Sequence, residues 1–142
     1  MHEITKSFQQ LSVKIYIMKK YEERINFYDC DPAGILFFAN IFRLAHKSYE
    51  QFLSEISPER NFFDDDSVLL PIIHSEADYL KPLTAGSDVT VEVTASVIKD
   101  SSFELTYNIT NGDALYGRVK TVRVAVDKES FVKTELPQEL KE

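Results

Sequence analysis

From Phe37 onward, Ile41, Leu44, Ala45, Ser48, Tyr49 and Phe52 recur at helical spacing, with Arg43, Lys47, Glu50 and Gln51 opposite them. This pattern predicts one long amphipathic helix. Before it, "YEERINFYD" reads as a strand. After it, "SPERNFFDDDS" ends the helix in a polar, acidic connection. The period then changes to two. "LLPIIHSEADYL" reads as extended, with Pro71 near its start and Pro82 just beyond. "VTVEVTASV" alternates, placing Val89, Val91, Val93, Ala95 and Val97 on one face and Thr90, Glu92, Thr94 and Ser96 on the other. "FELTYNI" alternates again, Asn111-Gly112 signals a hairpin, and "VKTVRVAV" is the last strand. Alternation with a polar second face suits an antiparallel sheet half-covered by a helix. The expected fold is therefore α+β: a long helix against an antiparallel sheet of about five strands.

Composition narrows the classes. The 142 residues suit a single domain, placed at 18–142, with residues 1–17 as an N-terminal extension. That extension is either a native strand or arm or an addition ahead of a second start at Met18. The formal net charge of −7 argues against general nucleic-acid binding, which needs a basic face to displace counterions. Cys30 is the single cysteine, so no intrachain disulfide can form. No apolar run reaches membrane-spanning length and no secretory pattern opens the chain, so the expectation is a cytoplasmic protein with no membrane partner.

The stretch "YDCDPAGILFFANIF" places two aspartates at the mouth of the expected helix. Read structurally, Asp-Pro-Ala-Gly is a turn leading into a helix start. Read chemically, a carboxylate beside the free N–H groups of a helix N-terminus can act on a carbonyl that those groups polarise. The spacing alone does not choose between them. Flanking carboxylates disfavour a Cys30 thiolate, so the thiol is expected to pack rather than react. His46 falls on the helix; His74 falls on a strand, with Glu76 and Asp78 on its face. The histidines and the cysteine show no zinc-ligand spacing, and no metal is expected.

These residues resemble a known family. "INFYDCDPAGILFFANIFRLAHKSYEQFL" is similar to the hotdog-fold thioesterases of the 4-hydroxybenzoyl-CoA thioesterase type, over about residues 21–127. Within that superfamily, "HKSYEQFL" and "LPIIHSEADYLKPLTAGSDV" look most like the 1,4-dihydroxy-2-naphthoyl-CoA hydrolases. The resemblance implies a hotdog fold, hydrolysis of an acyl-CoA to free acid and coenzyme A, and no cofactor beyond the coenzyme A of the substrate. It implies Asp31 as the catalytic carboxylate, acting as nucleophile or as base towards water. It also implies the backbone N–H of Phe38 as oxyanion donor, His46 and His74 as acyl-group contacts, and a homodimer or homotetramer with sites at subunit interfaces. Three departures bear on specificity. Phe38 stands where the Tol-Pal-associated branch has histidine. His46 stands where the 4-hydroxybenzoyl branch has an acidic residue. "KDSSF" offers only Lys99 where that branch has an arginine-rich stretch. An aromatic acyl-CoA is the expected substrate. The alternatives are a permissive short- or medium-chain thioesterase and a non-catalytic acyl-CoA or acyl-carrier binding module. A hotdog hydratase or dehydratase would need a different helix motif.

Overall fold

The structure, a computed structural model, describes residues 18–141; the expectation for residues 1–17 lies outside them. In chain order the elements are β1 (Met18–Arg24), a 3-10 turn (Phe27–Asp29), α1 (Asn40–Ile56), β2 (Val68–Leu69), β3 (Ile72–Tyr79), β4 (Asp88–Ile98), β5 (Ser102–Asn111), β6 (Ala114–Val124), β7 (Val126–Asp127) and a short α2 (Gln138–Lys141). Five strands form one antiparallel sheet in the order β1-β4-β5-β6-β3, and β2 pairs with β7 in a separate two-stranded sheet.

The helix buries the stripe its spacing demands: Ile41, Leu44, Ala45, Ser48, Tyr49, Phe52 and Leu53 are all buried. Facing them are Val89, Val91 and Val93 of β4, Leu105, Tyr107 and Ile109 of β5, and Val119 of β6. Burying a core side chain of this size stabilises by about 1.5–3 kcal/mol, so this interface is the main source of stability. The start of α1 lies very close to β6. A Cβ added to Gly117 would sit 3.1 Å from the Ile41 side chain and 3.4 Å from the Asp78 carbonyl. A side chain there would force Ile41 to shift by a few tenths of an ångström, so glycine lets the helix approach the sheet closely. At the other edge, Lys47 donates to Glu23 of β1 at 2.9 Å and pins the helix across the sheet.

Four local expectations are corrected. The helix begins at Asn40 rather than Phe37, because Phe37 and Phe38 belong to the loop that enters it. The first strand stops at Arg24, and the chain then tightens into the 3-10 turn. Val97 is exposed, since a bulge between Ala95 and Val97 reverses the alternation. At the β5–β6 hairpin, Asn111 pairs with Ala114, so the two loop residues are Gly112 and Asp113. Gly112 takes φ 61° at the first loop position, as in a type II′ turn, rather than Asn-Gly filling both.

The acidic connection after α1 is ordered by one residue. Asp65 accepts from Arg60 Nε at 2.7 Å and Nη2 at 3.1 Å. It also accepts the N–H groups of Ser67 and Val68 at 3.0 and 2.9 Å. Arg60 reaches on to Glu139 of α2 at 3.1 Å, tying the loop to the C-terminal segment. The Arg60 hydrogen bonds, outweighing burial and helped by the backbone N–H groups, hold the Asp65 carboxyl well below the usual carboxylate range. A depressed folded-state pKa gives stability that is present above the ordinary value of 3.8 and is lost as pH falls through the folded value. Asp65→Asn is therefore expected to destabilise by about 2 kcal/mol at neutral pH. Urea unfolding across pH should show the gap to wild type narrowing below the ordinary carboxylate value.

Candidate active site

The loop between the 3-10 turn and α1 folds back on itself. Cys30 bridges antiparallel to Leu36, and Asp31 N–H donates to Ile35 O at 2.9 Å. Within this return, Asp-Pro-Ala-Gly makes the tight turn its composition predicts. Gly34 N–H donates to Asp31 O at 2.9 Å, and Gly34 takes φ 76°, a conformation that favours glycine. The loop is stitched to residues 83–85: Leu36 N–H donates to Leu83 O at 2.7 Å, and Ala85 N–H to Gly34 O at 3.1 Å.

The two aspartates have separate tasks. Asp29 is buried. Its carboxylate accepts from Asn26 N–H at 3.3 Å and forms an ion pair with Arg43 of α1. Its carbonyl accepts from Phe37 N–H at 3.0 Å and from the Asn40 side chain at 2.8 Å. Asp31 is half-buried on the turn. Its Oδ1 accepts Ala33 N–H at 2.9 Å, and Oδ2 has no partner among the described residues. Cys30 Sγ donates to Asn26 O at 3.5 Å and packs against the core, as expected of a structural thiol.

The N-terminus of α1 has no side-chain cap; its N-cap position is Ala39. Among the described residues, the N–H groups of Phe38 and Ala39 have no protein acceptor. Both are nevertheless held in place. The peptide carrying the Phe38 N–H is fixed through the Phe37 carbonyl, which accepts from Asn40 N–H at 2.8 Å. The peptide carrying the Ala39 N–H is fixed through the Phe38 carbonyl, which accepts from the Tyr79 hydroxyl of β3 and from Ile41 N–H. Two held donors at the positive end of a helix can stabilise an anion, and the Asp31 turn lies on the same loop. Exposed rings of Phe37 and Phe38, 4.8 Å apart, flank it. A shallow open cavity of about 230 Å³ adjoins the loop, lined by Ile35, Leu36, Tyr79, Leu80 and Lys81 among others.

His46 lies six residues into α1, about 9 Å of axial rise beyond Asn40. Its ring packs beside Tyr49 and Phe63 at centroid distances of 5.8 and 6.1 Å, and its Nδ1 is 3.5 Å from Arg123 Nη2. Burial raises the Tyr49 hydroxyl well above its ordinary range, and the opposing Arg123 charge does not offset this. His74 lies elsewhere. It pairs with Val122, Glu76 with Lys120 and Asp78 with Arg118, whereas the helix-facing pairs are Ala77 with buried Val119 and Tyr79 with Gly117. Directly paired residues share a face. His74, which contacts Glu76 at 3.2 Å, is thus on the outer face of the sheet, and within one chain it does not join Asp31, Phe38 and His46.

Arg43, Asn40, Tyr79 and Arg123 carry no motif and pair with groups far away in sequence. One signal did exist: Arg123 occupies an inward position of an alternating strand, between Thr121 and Ala125, where a charge is out of place. Among the described residues, no three His, Cys, Asp or Glu side chains are grouped to hold a metal ion.

Residues 25–142 match the family model of the thioesterase-like superfamily. Among curated relatives, a 1,4-dihydroxy-2-naphthoyl-CoA hydrolase of Nostoc punctiforme is 33% identical over 84% of this chain and 82% of its own. Another, of Rippkaea orientalis, is 32% identical over 87% of this chain and 92% of its own. Among solved structures, a 1,4-dihydroxy-2-naphthoyl-CoA thioesterase from Synechocystis superposes with a TM-score of 0.79 at 24% identity, covering 87% of this chain and 93% of its own. A gentisyl-coenzyme A thioesterase gives 0.76 at 23% identity, covering 87% and 96%. The expected hotdog fold is borne out.

Arg43 is the ionic partner of a buried carboxylate, so its removal strands that charge. Arg43→Ala is expected to lower stability by about 2 kcal/mol, less than for a fully buried pair because half of the arginine side chain is exposed. Thermal unfolding should show a Tm lower by about 4–8 °C.

Proposed function

We propose a function from the premise that this chain belongs to the thioesterase-like superfamily: it is an acyl-CoA thioesterase whose substrate is a hydroxylated aromatic acyl-CoA, such as 1,4-dihydroxy-2-naphthoyl-CoA. One observation carries the reading. At an uncapped helix N-terminus, two fixed N–H groups without a partner among the described residues share a loop with a carboxylate that has one oxygen without a partner among them. The named activities of the relatives supply the substrate class.

The thioester carbonyl oxygen receives hydrogen bonds from the Phe38 and Ala39 N–H groups, which strengthen as negative charge develops on it. Asp31 acts at the carbonyl carbon by one of two routes. As nucleophile, it displaces coenzyme A thiolate to give a mixed anhydride, which water then cleaves to the free acid. As base, it takes a proton from water, whose oxygen attacks directly and expels the same thiolate. Both routes consume one water and yield carboxylic acid and coenzyme A, and neither calls for a cofactor. Phe37, Phe38 and Phe42 offer apolar area to a flat ring, and His46 contacts its hydroxyl. The proposed setting is cytoplasmic, because that is where coenzyme A esters are used; no helix among the described residues is long and apolar enough to cross a membrane.

Within one chain the groove is open, and β3 is an edge strand. Ile72, Ile73, Tyr79 and Leu80 are each about half exposed along and just beyond that edge. Such an edge invites pairing with another chain. The active form is therefore a homodimer or homotetramer in which a second chain completes the groove, and His74 reaches the acyl group only from such an assembly.

The deciding experiment measures thiol release from aromatic and saturated acyl-CoAs by wild type and Asp31→Asn. Wild type should favour the hydroxylated aromatic ester, and the variant, folded, should lose about a hundredfold or more in turnover. Turnover by Asp31→Asn within a few-fold of wild type refutes the catalytic role; better hydrolysis of saturated chains refutes the substrate class. Light scattering should report a dimer or tetramer, and an active monomer would contradict the shared groove.

A further inference from the structure

Arg123 is an unusual residue for the inner face of a sheet. It is 8% exposed, and among the described residues it has no carboxylate partner. Burying a guanidinium is costly unless its donors and charge are satisfied. Its Nη1 donates to Leu70 O at 2.9 Å, its guanidinium carbon lies 3.8 Å from the centre of the Tyr49 ring, and its Nη2 is 3.5 Å from His46 Nδ1. Among the described residues its Nε has no acceptor. The carbonyl and the ring clamp the guanidinium from β2's flank and from α1, and the remaining directed contact is to the histidine.

A guanidinium has donors only. The His46 nitrogen facing it must therefore accept, which places the proton of the neutral ring on Nε2. That nitrogen lies 3.5 Å from Glu50 Oε1, and both side chains are about half exposed. The Tyr49 and Phe63 rings stand beside the imidazole. An imidazole free to choose its tautomer can donate to a ligand or accept from it; one fixed by an arginine can only donate.

We propose that Arg123 is a positioning residue for substrate recognition: by donating to Nδ1 of His46 it fixes the imidazole as an Nε2–H donor, which selects acyl groups presenting a ring oxygen as acceptor. This rests on the reading above that His46 meets the acyl ring. It goes further by naming the donor, the acceptor and the residue that enforces the choice.

The test combines a spectroscopic readout with kinetics. Nitrogen-15 NMR of the imidazoles above pH 8, with His46 assigned through His46→Ala, should show His46 in the Nε2–H form in wild type and as a mixture of tautomers in Arg123→Met. The ratio of kcat/KM for 1,4-dihydroxy-2-naphthoyl-CoA over unsubstituted 2-naphthoyl-CoA should fall about tenfold in Arg123→Met and by the same factor in His46→Ala, with no further fall in the double variant. Arg123→Lys, which keeps a cationic donor, should recover part of both signals and serves if the methionine variant does not fold. An Nδ1–H tautomer in wild type overturns the proposal, as does an unchanged ratio in a folded Arg123 variant or additive losses in the double variant. If wild type shows no preference for the hydroxylated ring, the substrate reading fails, while the tautomer measurement still decides the part played by Arg123.

Discussion

Asp29 holds the candidate site together. Its carboxylate is buried and takes hydrogen bonds from the chain before it and from Arg43 on the helix, while its carbonyl binds Phe37 and Asn40 just ahead of the helix and at its first residue. A single residue thus ties the incoming strand, the return loop and the first turn of α1. Without it, the peptide groups of Phe38 and Ala39 would have no reason to keep their N–H groups unpartnered and aligned. A helix N-terminus normally recruits a side chain to cover those groups. Here the nearest suitable side chain, Asn40, is turned to the Asp29 carbonyl instead.

That arrangement separates two carboxylates that lie two residues apart. Asp29 is buried, paired with Arg43 and committed to structure. Asp31 is half-buried, retains an oxygen without a partner, and sits on a turn whose backbone is held by its own hydrogen bonds and by residues 83–85. A catalytic carboxylate needs this combination of a fixed backbone and an unsatisfied oxygen. The core supports it from behind. Gly117 lets the start of α1 settle against β6, and Tyr79 of the edge strand holds the Phe38 carbonyl, so the helix mouth is registered against the sheet from two neighbouring strands. Because Tyr79 lies on β3, any chain that pairs with this edge acts on a strand directly bonded to the loop that carries the Phe38 N–H.

The surroundings of His46 depend on a different set of contacts. Asp65 orders the connection after the helix, and that connection supplies Phe63 to the His46 and Tyr49 cluster. Acid that protonates Asp65 would loosen the loop that builds this aromatic wall. The candidate catalytic loop is held by a separate network centred on Asp29, so the two regions can be perturbed independently.

By itself the sequence determined the order of the long helix and the main sheet strands, the buried stripe of α1 and the tight turn at Asp-Pro-Ala-Gly, because these follow from side-chain spacing and local backbone preference; that "LLPIIHSEADYL" divides into β2 and β3 of two different sheets was not legible there. The resemblance of a short contiguous string singled out Asp31 rather than Asp29 as the candidate carboxylate, and the structure adds that Asp29 is the one paired with Arg43. Tertiary structure decided the rest. The bulge that exposes Val97, the start of α1 at Asn40 and the placement of Gly112-Asp113 in the hairpin depend on cross-strand register and capping, which no local pattern carries. His46 and His74 looked alike as isolated histidines, but only the sheet pairing puts them on opposite sides. Arg43 and Arg123 acquire their partners across 14 and 77 residues of chain, and a pairing over such distances is set by the packing of the helix on the sheet, not by spacing along the chain.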